Sequence, residues 1–222
     1  MDIFTDDRLP NSYAICLIGH GSRDPEGAQE FLTLTQKLRE RRLCPIVEPA
    51  FLEFVKPEIT EVLSSFQHNG IKNIIILPGI LFSGEHTQRD VPHTVNEVFR
   101  NLPEINLVFA EPLATQPKVI EACQKRIEEE EKKYSKPFSR SDTLLMTIGY
   151  GSRYKDFNSE IQKNLSQLGE KMGFGKTLTG FAGSSQHYLE DMQEKFTPQG
   201  FRRVILLPFF LFSGVWVTRV HS

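Results

Sequence analysis
The sequence predicts an α/β fold of two similar lobes, each a doubly wound parallel sheet. Three observations carry this expectation: the chain repeats itself at a fixed offset, short apolar runs alternate with longer amphipathic ones, and the length and composition suit a packed core. LIGHGSR at 17–23 returns as TIGYGSR at 147–153, and PGILFSG at 78–84 returns as PFFLFSG at 208–214, each pair matching at five of seven positions. Both offsets are 130 (147 − 17 and 208 − 78), so the stretches between them align without a gap. Self-similarity at one period marks a duplicated structural unit.

Within the first repeat, the apolar runs Tyr13–Ile18, Ile46–Leu52, Asn73–Leu77 and Asn106–Phe109 read as strands. Between and after them, Ala28–Arg41, Pro57–Gln67, Asp90–Phe99 and Pro117–Glu130 carry helical spacing, with Asp90 and Pro92 suited to a helix start. Strands alternating with helices of this length indicate a parallel sheet with crossover helices. The second repeat follows the same order through a strand at Arg203–Leu207. Residues 1–133 are expected to form the first lobe, with the repeat itself running from about Tyr13 to Lys133. The polar segment 134–141, with Pro137 and several serines, reads as a linker, and 142–222 as the second lobe. Ser222 falls where the counterpart of Asp90–Phe109 begins, so the second lobe reads as truncated.

With 222 residues, 39% hydrophobic, and a formal net charge of −2, the chain has no basic footprint for nucleic acid. It has no secretory pattern at MDIFTDDRLP and no run of about 20 apolar residues, so a cytoplasmic protein without membrane association is expected. Cys16, Cys44 and Cys123 are far apart with no CxxC spacing, and read as packing residues.

Ligands of open parallel sheets bind beyond the carboxyl ends of the strands. Three polar residues fall there: His20 in Gly-His-Gly-Ser-Arg, Glu53 in AFLEF and His86 in FSGEHTQRD. Their spacings are equal, 53 − 20 and 86 − 53 both being 33, which puts each at the same station of successive strand-helix units. Two imidazoles and a carboxylate can bind a borderline divalent ion and can accept protons near neutral pH. Each alone has a plainer reading, as a hydrogen-bonded strand-end histidine or a solvated loop carboxylate. At the offset of 130, His20, Glu53 and His86 become Tyr150, Gly183 and Trp216, while the surrounding residues are retained. Joint replacement of all three fits one active and one inactive lobe.

At HGSR, AFLE and the FSGEH turn, the chain resembles the class II chelatases that act on sirohydrochlorin, in their long, internally duplicated form. The resemblance covers nearly the whole chain. It implies a cleft between the two lobes that holds a tetrapyrrole, and insertion of cobalt or iron for cobalamin or sirohaem synthesis. His20 and His86 match the family's metal-binding histidines and Glu53 the accompanying glutamate. The divalent metal is then a substrate, and no organic cofactor is called for. Because the macrocycle is ringed with carboxylates, Arg23 and Arg89, which flank the histidine turns, are expected to hold its rim, with Lys56 a weaker candidate. Ser22, Ser83 and Gly84 offer further donors, although turn geometry alone would also account for them. His68, His93, His187 and His221 lie outside the matching stations and read as surface or capping residues. Two alternatives stay open at this point: a protohaem-type ferrochelatase, and a non-catalytic metal-, tetrapyrrole- or anion-binding protein. Neither the metal nor the oligomeric state is legible.

Overall fold
A computed structural model describes residues 8–82, 86–100, 104–134, 138–152, 154–181, 200–214 and 217–218, excluding the side chains of His86 and Thr87. The chain divides into two compact units.

In the first unit the strands are β1 (Tyr13–Gly19), β2 (Ile46–Phe51), β3 (Asn73–Pro78) and β4 (Asn106–Phe109). The helices are α1 (Pro25–Glu40), α2 (Ile59–His68) and α3 (Val91–Phe99). The sheet is parallel throughout, in the order β2-β1-β3-β4. Alternation along β1 decides which helix covers which face. Ala14, Cys16 and Ile18 point into a core shared with Leu63 and Phe66 of α2 and Val91, Val95 and Phe99 of α3. Leu17, on the opposite face, packs with Phe31 of α1 and with Phe51. Burial on both faces is why β1 reads as a continuous apolar run.

In the second unit the elements are α4 (Pro117–Glu131), β5 (Thr143–Gly149), α5 (Lys155–Met172), β6 (Lys176–Phe181) and β7 (Arg203–Phe209), with sheet order β6-β5-β7. The offset of 130 extends to the pairing register. Ala14 pairs with Ile46 as Leu144 pairs with Lys176, and Tyr13 pairs with Asn73 as Thr143 pairs with Arg203. Positive-φ glycines recur as well, Gly21 with Gly151 and Gly70 with Gly200. A one-residue slip would turn every side chain to the wrong face, so matching registers mean that the two sheets solve the same packing problem.

The units divide differently from the 1–133 and 142–222 lobes expected. The boundary falls at Pro112/Leu113, and α4 belongs to the second unit, where it packs against α5 and β7. The physical reason is an ionic clamp at its carboxyl end. Glu131 accepts from Arg140 Nη2 at 2.6 Å and from Arg203 Nη2 at 2.8 Å, and Arg140 Nη1 also donates to the Met172 carbonyl at 3.1 Å. Arg140 lies within the 134–141 stretch expected to be a linker, so that stretch carries an anchoring residue. Conversely, Phe212 and Ser213 belong to the first unit. The Phe212 ring meets Phe31 edge-on at 5.6 Å, and Glu30 accepts from both the backbone N–H and the hydroxyl of Ser213.

All three cysteines are buried and free, as packing residues should be, and burial pushes the Cys16 thiol up to about 12 and Cys123 to about 11. Among the described residues no helix is long and apolar enough to cross a membrane.

Candidate functional site
The strand order β2-β1-β3 places the reversal of winding between β1 and β3. Loops leaving the carboxyl ends of strands at such a switch point diverge and leave a crevice, the usual ligand position in open α/β sheets. Gly19, the last residue of β1, pairs with Phe51, and Ile18 pairs with Pro78, so the three strands end side by side. His20 follows β1 directly, Glu53 lies two residues beyond β2, and His86 follows β3. His20, Glu53 and His86 thus follow three strands whose carboxyl ends lie along one edge of one sheet.

Two glycines let those ends close over the helix below. A Cβ at Gly19 or Gly79 would fall 2.7 or 2.6 Å from the Phe31 ring of α1. Above them, the first two turns are fastened together by backbone. Leu52 N–H donates to the Gly19 carbonyl and Glu53 N–H to the His20 carbonyl, both at 3.0 Å, extending the ladder beyond the strands. Gly21, at φ 91°, presses so closely on this loop that a Cβ there would lie 1.8 Å from the Glu53 carbonyl oxygen. His20 and Glu53 thus sit on one rigid double turn, and both are exposed.

Ser22 has a scaffold duty. Its Oγ accepts from Asp24 N–H at 3.0 Å, and Asp24 in turn caps α1 by accepting from Glu26 N–H. The second unit repeats this bond between Ser152 Oγ and Tyr154 N–H at 3.1 Å, although Tyr150 there replaces the histidine. A bond kept where the histidine is absent belongs to the turn itself.

His86 opens a π-helical turn, His86–Asp90, that leads into α3, and such turns are frequent at functional sites. Its side chain lies outside the described residues, as do Ser83 and Gly84. Arg89 is exposed, with Nε 3.3 Å from Asp90 Oδ1. Arg23 is exposed too, its guanidinium 4.7 Å above the Phe54 ring. Lys56 is committed elsewhere: it donates to Glu58 and Glu61, the capping-box pair of α2, and the Glu58 bond leads in raising its pKa. Its contacts are those of a helix start, made from an exposed position. His68 caps α2 through the Ser64 carbonyl, His93 is an exposed residue of α3, and His187 and His221 lie outside the described residues. Among the described residues no three His, Cys, Asp or Glu side chains gather as a metal cluster.

Phe54 drew no expectation from the sequence. Its ring stands 6.5 Å from the His20 imidazole, the planes inclined at 20°, and it is 56% exposed at φ 64°.

Comparison with known proteins identifies the chain's relatives. The chain is 28% identical over 209 residues to a sirohydrochlorin cobaltochelatase of Priestia megaterium, an alignment covering 94% of this chain and 67% of that one. It is 22% identical, over 94% of its length and 77% of the relative's, to a sirohydrochlorin ferrochelatase of the same organism. Among solved structures, the sirohydrochlorin chelatase SirB of Bacillus subtilis subspecies spizizenii, in complex with cobalt, superposes with a TM-score of 0.77 at 20% identity, covering 94% of this chain and 79% of that one. That likeness establishes the chelatase fold. The CbiX family model matches residues 14–130 and again 144–221, two segments whose starts are themselves 130 apart. Matched through both repeats, the chain belongs to the CbiX family.

Proposed function
We propose that this chain is a sirohydrochlorin chelatase, a lyase that inserts Co²⁺ or Fe²⁺ into the free macrocycle with release of two protons. The observation that carries the reading is the placement of the His20 and His86 stations on either side of the strand-order reversal, in a chain of the CbiX family. The reaction needs a metal held weakly enough to leave and bases close enough to take the two pyrrole N–H protons. A closed four-ligand cage would retain the ion, whereas two imidazoles on exposed turns leave coordination positions for macrocycle nitrogens.

In this reading His20 and His86 hold the incoming ion. Glu53, fixed to the His20 turn, and whichever imidazole is released accept the protons, so M²⁺ enters as two H⁺ leave. Arg23 and Arg89 bind rim carboxylates, an arrangement suited to bidentate guanidinium pairing. Ser22, Ser83 and Gly84 add donors near the same turns.

The test is an absorbance assay of purified protein with sirohydrochlorin and either Co²⁺ or Fe²⁺. The metallated spectrum should grow well above the uncatalysed rate. Stoichiometric binding of metal or macrocycle without turnover would make the chain a binding protein instead.

A further inference from the structure
Phe54 occupies a conformation that stability does not account for. Val55 N–H donates to the Glu53 carbonyl at 2.8 Å, closing a γ-turn on Phe54 at positive φ. Such turns are rare and strained, and positive φ is a genuine outlier for a bulky residue. Glycine would take the same backbone at no steric cost. Nor does burial offset the strain, because more than half of the side chain faces solvent. Among the described residues the ring faces the His20 imidazole, nearly parallel to it, and the Arg23 guanidinium above it. Both distances lie within the ranges over which aromatic and cation–π pairs attract.

The turn is also held rigidly in place. Its first carbonyl, on Glu53, abuts Gly21, and its root is pinned where Phe51 N–H donates to the Pro57 carbonyl at 2.9 Å. A strained, exposed ring on a fixed turn, facing two residues from the neighbouring turn, has the form of a platform. Long arginine and strand-end histidine side chains otherwise lose rotamer entropy when they engage a ligand, and a platform restricts them beforehand.

We propose that Phe54 is a positioning residue: its ring sets the orientations in which His20 meets the metal and Arg23 meets a carboxylate of the macrocycle. This rests on the chelatase reading of the site. It makes Phe54 and Arg23 one recognition unit, although Phe54 itself forms no polar contact with substrate.

The experiment is a double-mutant cycle read by equilibrium titration as well as by turnover. Sirohydrochlorin is titrated into wild type, Phe54→Leu, Arg23→Ala and the double variant, and Co²⁺ alone into wild type, Phe54→Leu, Phe54→Tyr and Phe54→Gly. Phe54→Leu should weaken macrocycle binding about threefold, the scale of an exposed cation–π contact. In the Arg23→Ala background the same change should have no further effect. Phe54→Tyr, which keeps the ring face, should bind Co²⁺ as wild type does, whereas Phe54→Leu and Phe54→Gly bind it more weakly. Phe54→Gly also separates positioning from stability, since relief of the strained turn should hold or raise Tm while binding falls. Equal effects of Phe54→Leu with and without Arg23, or loss of Tm in Phe54→Gly with unchanged Co²⁺ binding, would overturn the proposal. Wild-type protein that binds macrocycle and metal without turnover removes the enzymatic reading but leaves the cycle to decide Phe54; wild-type protein that binds neither removes both.

Discussion

At the scale of single residues, the site is made by what glycines permit. The His20 turn can rest on the Glu53 turn only because Gly21 has no Cβ and tolerates φ 91°. Gly21→Ala should therefore cost stability by two routes, a positive-φ strain of about 1 kcal/mol and displacement of the Glu53 carbonyl. Thermal denaturation should show a clear fall in Tm, and turnover should fall further than Tm alone explains, because His20 and Glu53 are displaced together. Wild-type turnover in this variant would mean that the double turn is not the working geometry. The imidazoles allow a cleaner test, since His20 is exposed and His86 lies in a loop-proximal turn, so neither should be needed for folding. His20→Ala and His86→Ala should each lower metal insertion by about a hundredfold or more, the scale of a lost acid–base or ligand function, with unchanged circular dichroism. If either keeps near wild-type turnover, that histidine is structural.

At the scale of elements, α4 is held by chemistry as much as by packing. Glu131 is only 16% exposed in its side chain and receives two guanidinium groups. Burial by itself would raise its pKa, but the hydrogen bonds from Arg140 and Arg203 outweigh it and hold the carboxyl below the usual glutamate range. Arg203 reaches on to Thr143 Oγ1 at 2.9 Å, so one carboxylate ties α4 to the starts of both β5 and β7. Glu131→Gln removes the charge and keeps the shape, and should destabilise the protein by about 1–3 kcal/mol at neutral pH, the range for hydrogen bonds to charged groups. Because the folded-state pKa is depressed, this contribution is complete above the unfolded glutamate value near 4.3 and is lost as pH falls through the folded value. Denaturant titrations of wild type and Glu131→Gln should therefore differ most at pH 6 to 7 and converge below about pH 4. A gap that persists into strong acid would assign the effect to packing rather than charge.

At the scale of the whole molecule, the elements were legible in the sequence and their allegiances were not. Apolar runs marked β1, β2, β3 and the exposed edge strand β4 to within a residue or two, and the offset of 130 anticipated a register match that no local signal could supply. The same periodicity could not say which sheet α4 would join, because its buried residues Cys123 and Ile127 suit either surface. The Glu131 contacts, together with packing on α5 and β7, decide it. Ser22 and Lys56 were ambiguous for a related reason: a serine or lysine in a strand-to-helix turn looks the same whether it serves a ligand or a helix cap. Phe54 was invisible, since a positive φ at a bulky residue is imposed by neighbours distant in sequence. Phe212 and Ser213 have a temporal consequence. A chain made from its amino end exposes Phe31 long before Phe212 exists, and Phe31 is the ring on which Gly19 and Gly79 rest. Domains ordinarily fold as they emerge during synthesis. Here the floor beneath the histidine turns is closed by residues roughly 180 positions downstream, contacts of the long sequence separation that slows folding, so the lobe that is made first is the lobe whose strand-end floor is completed last.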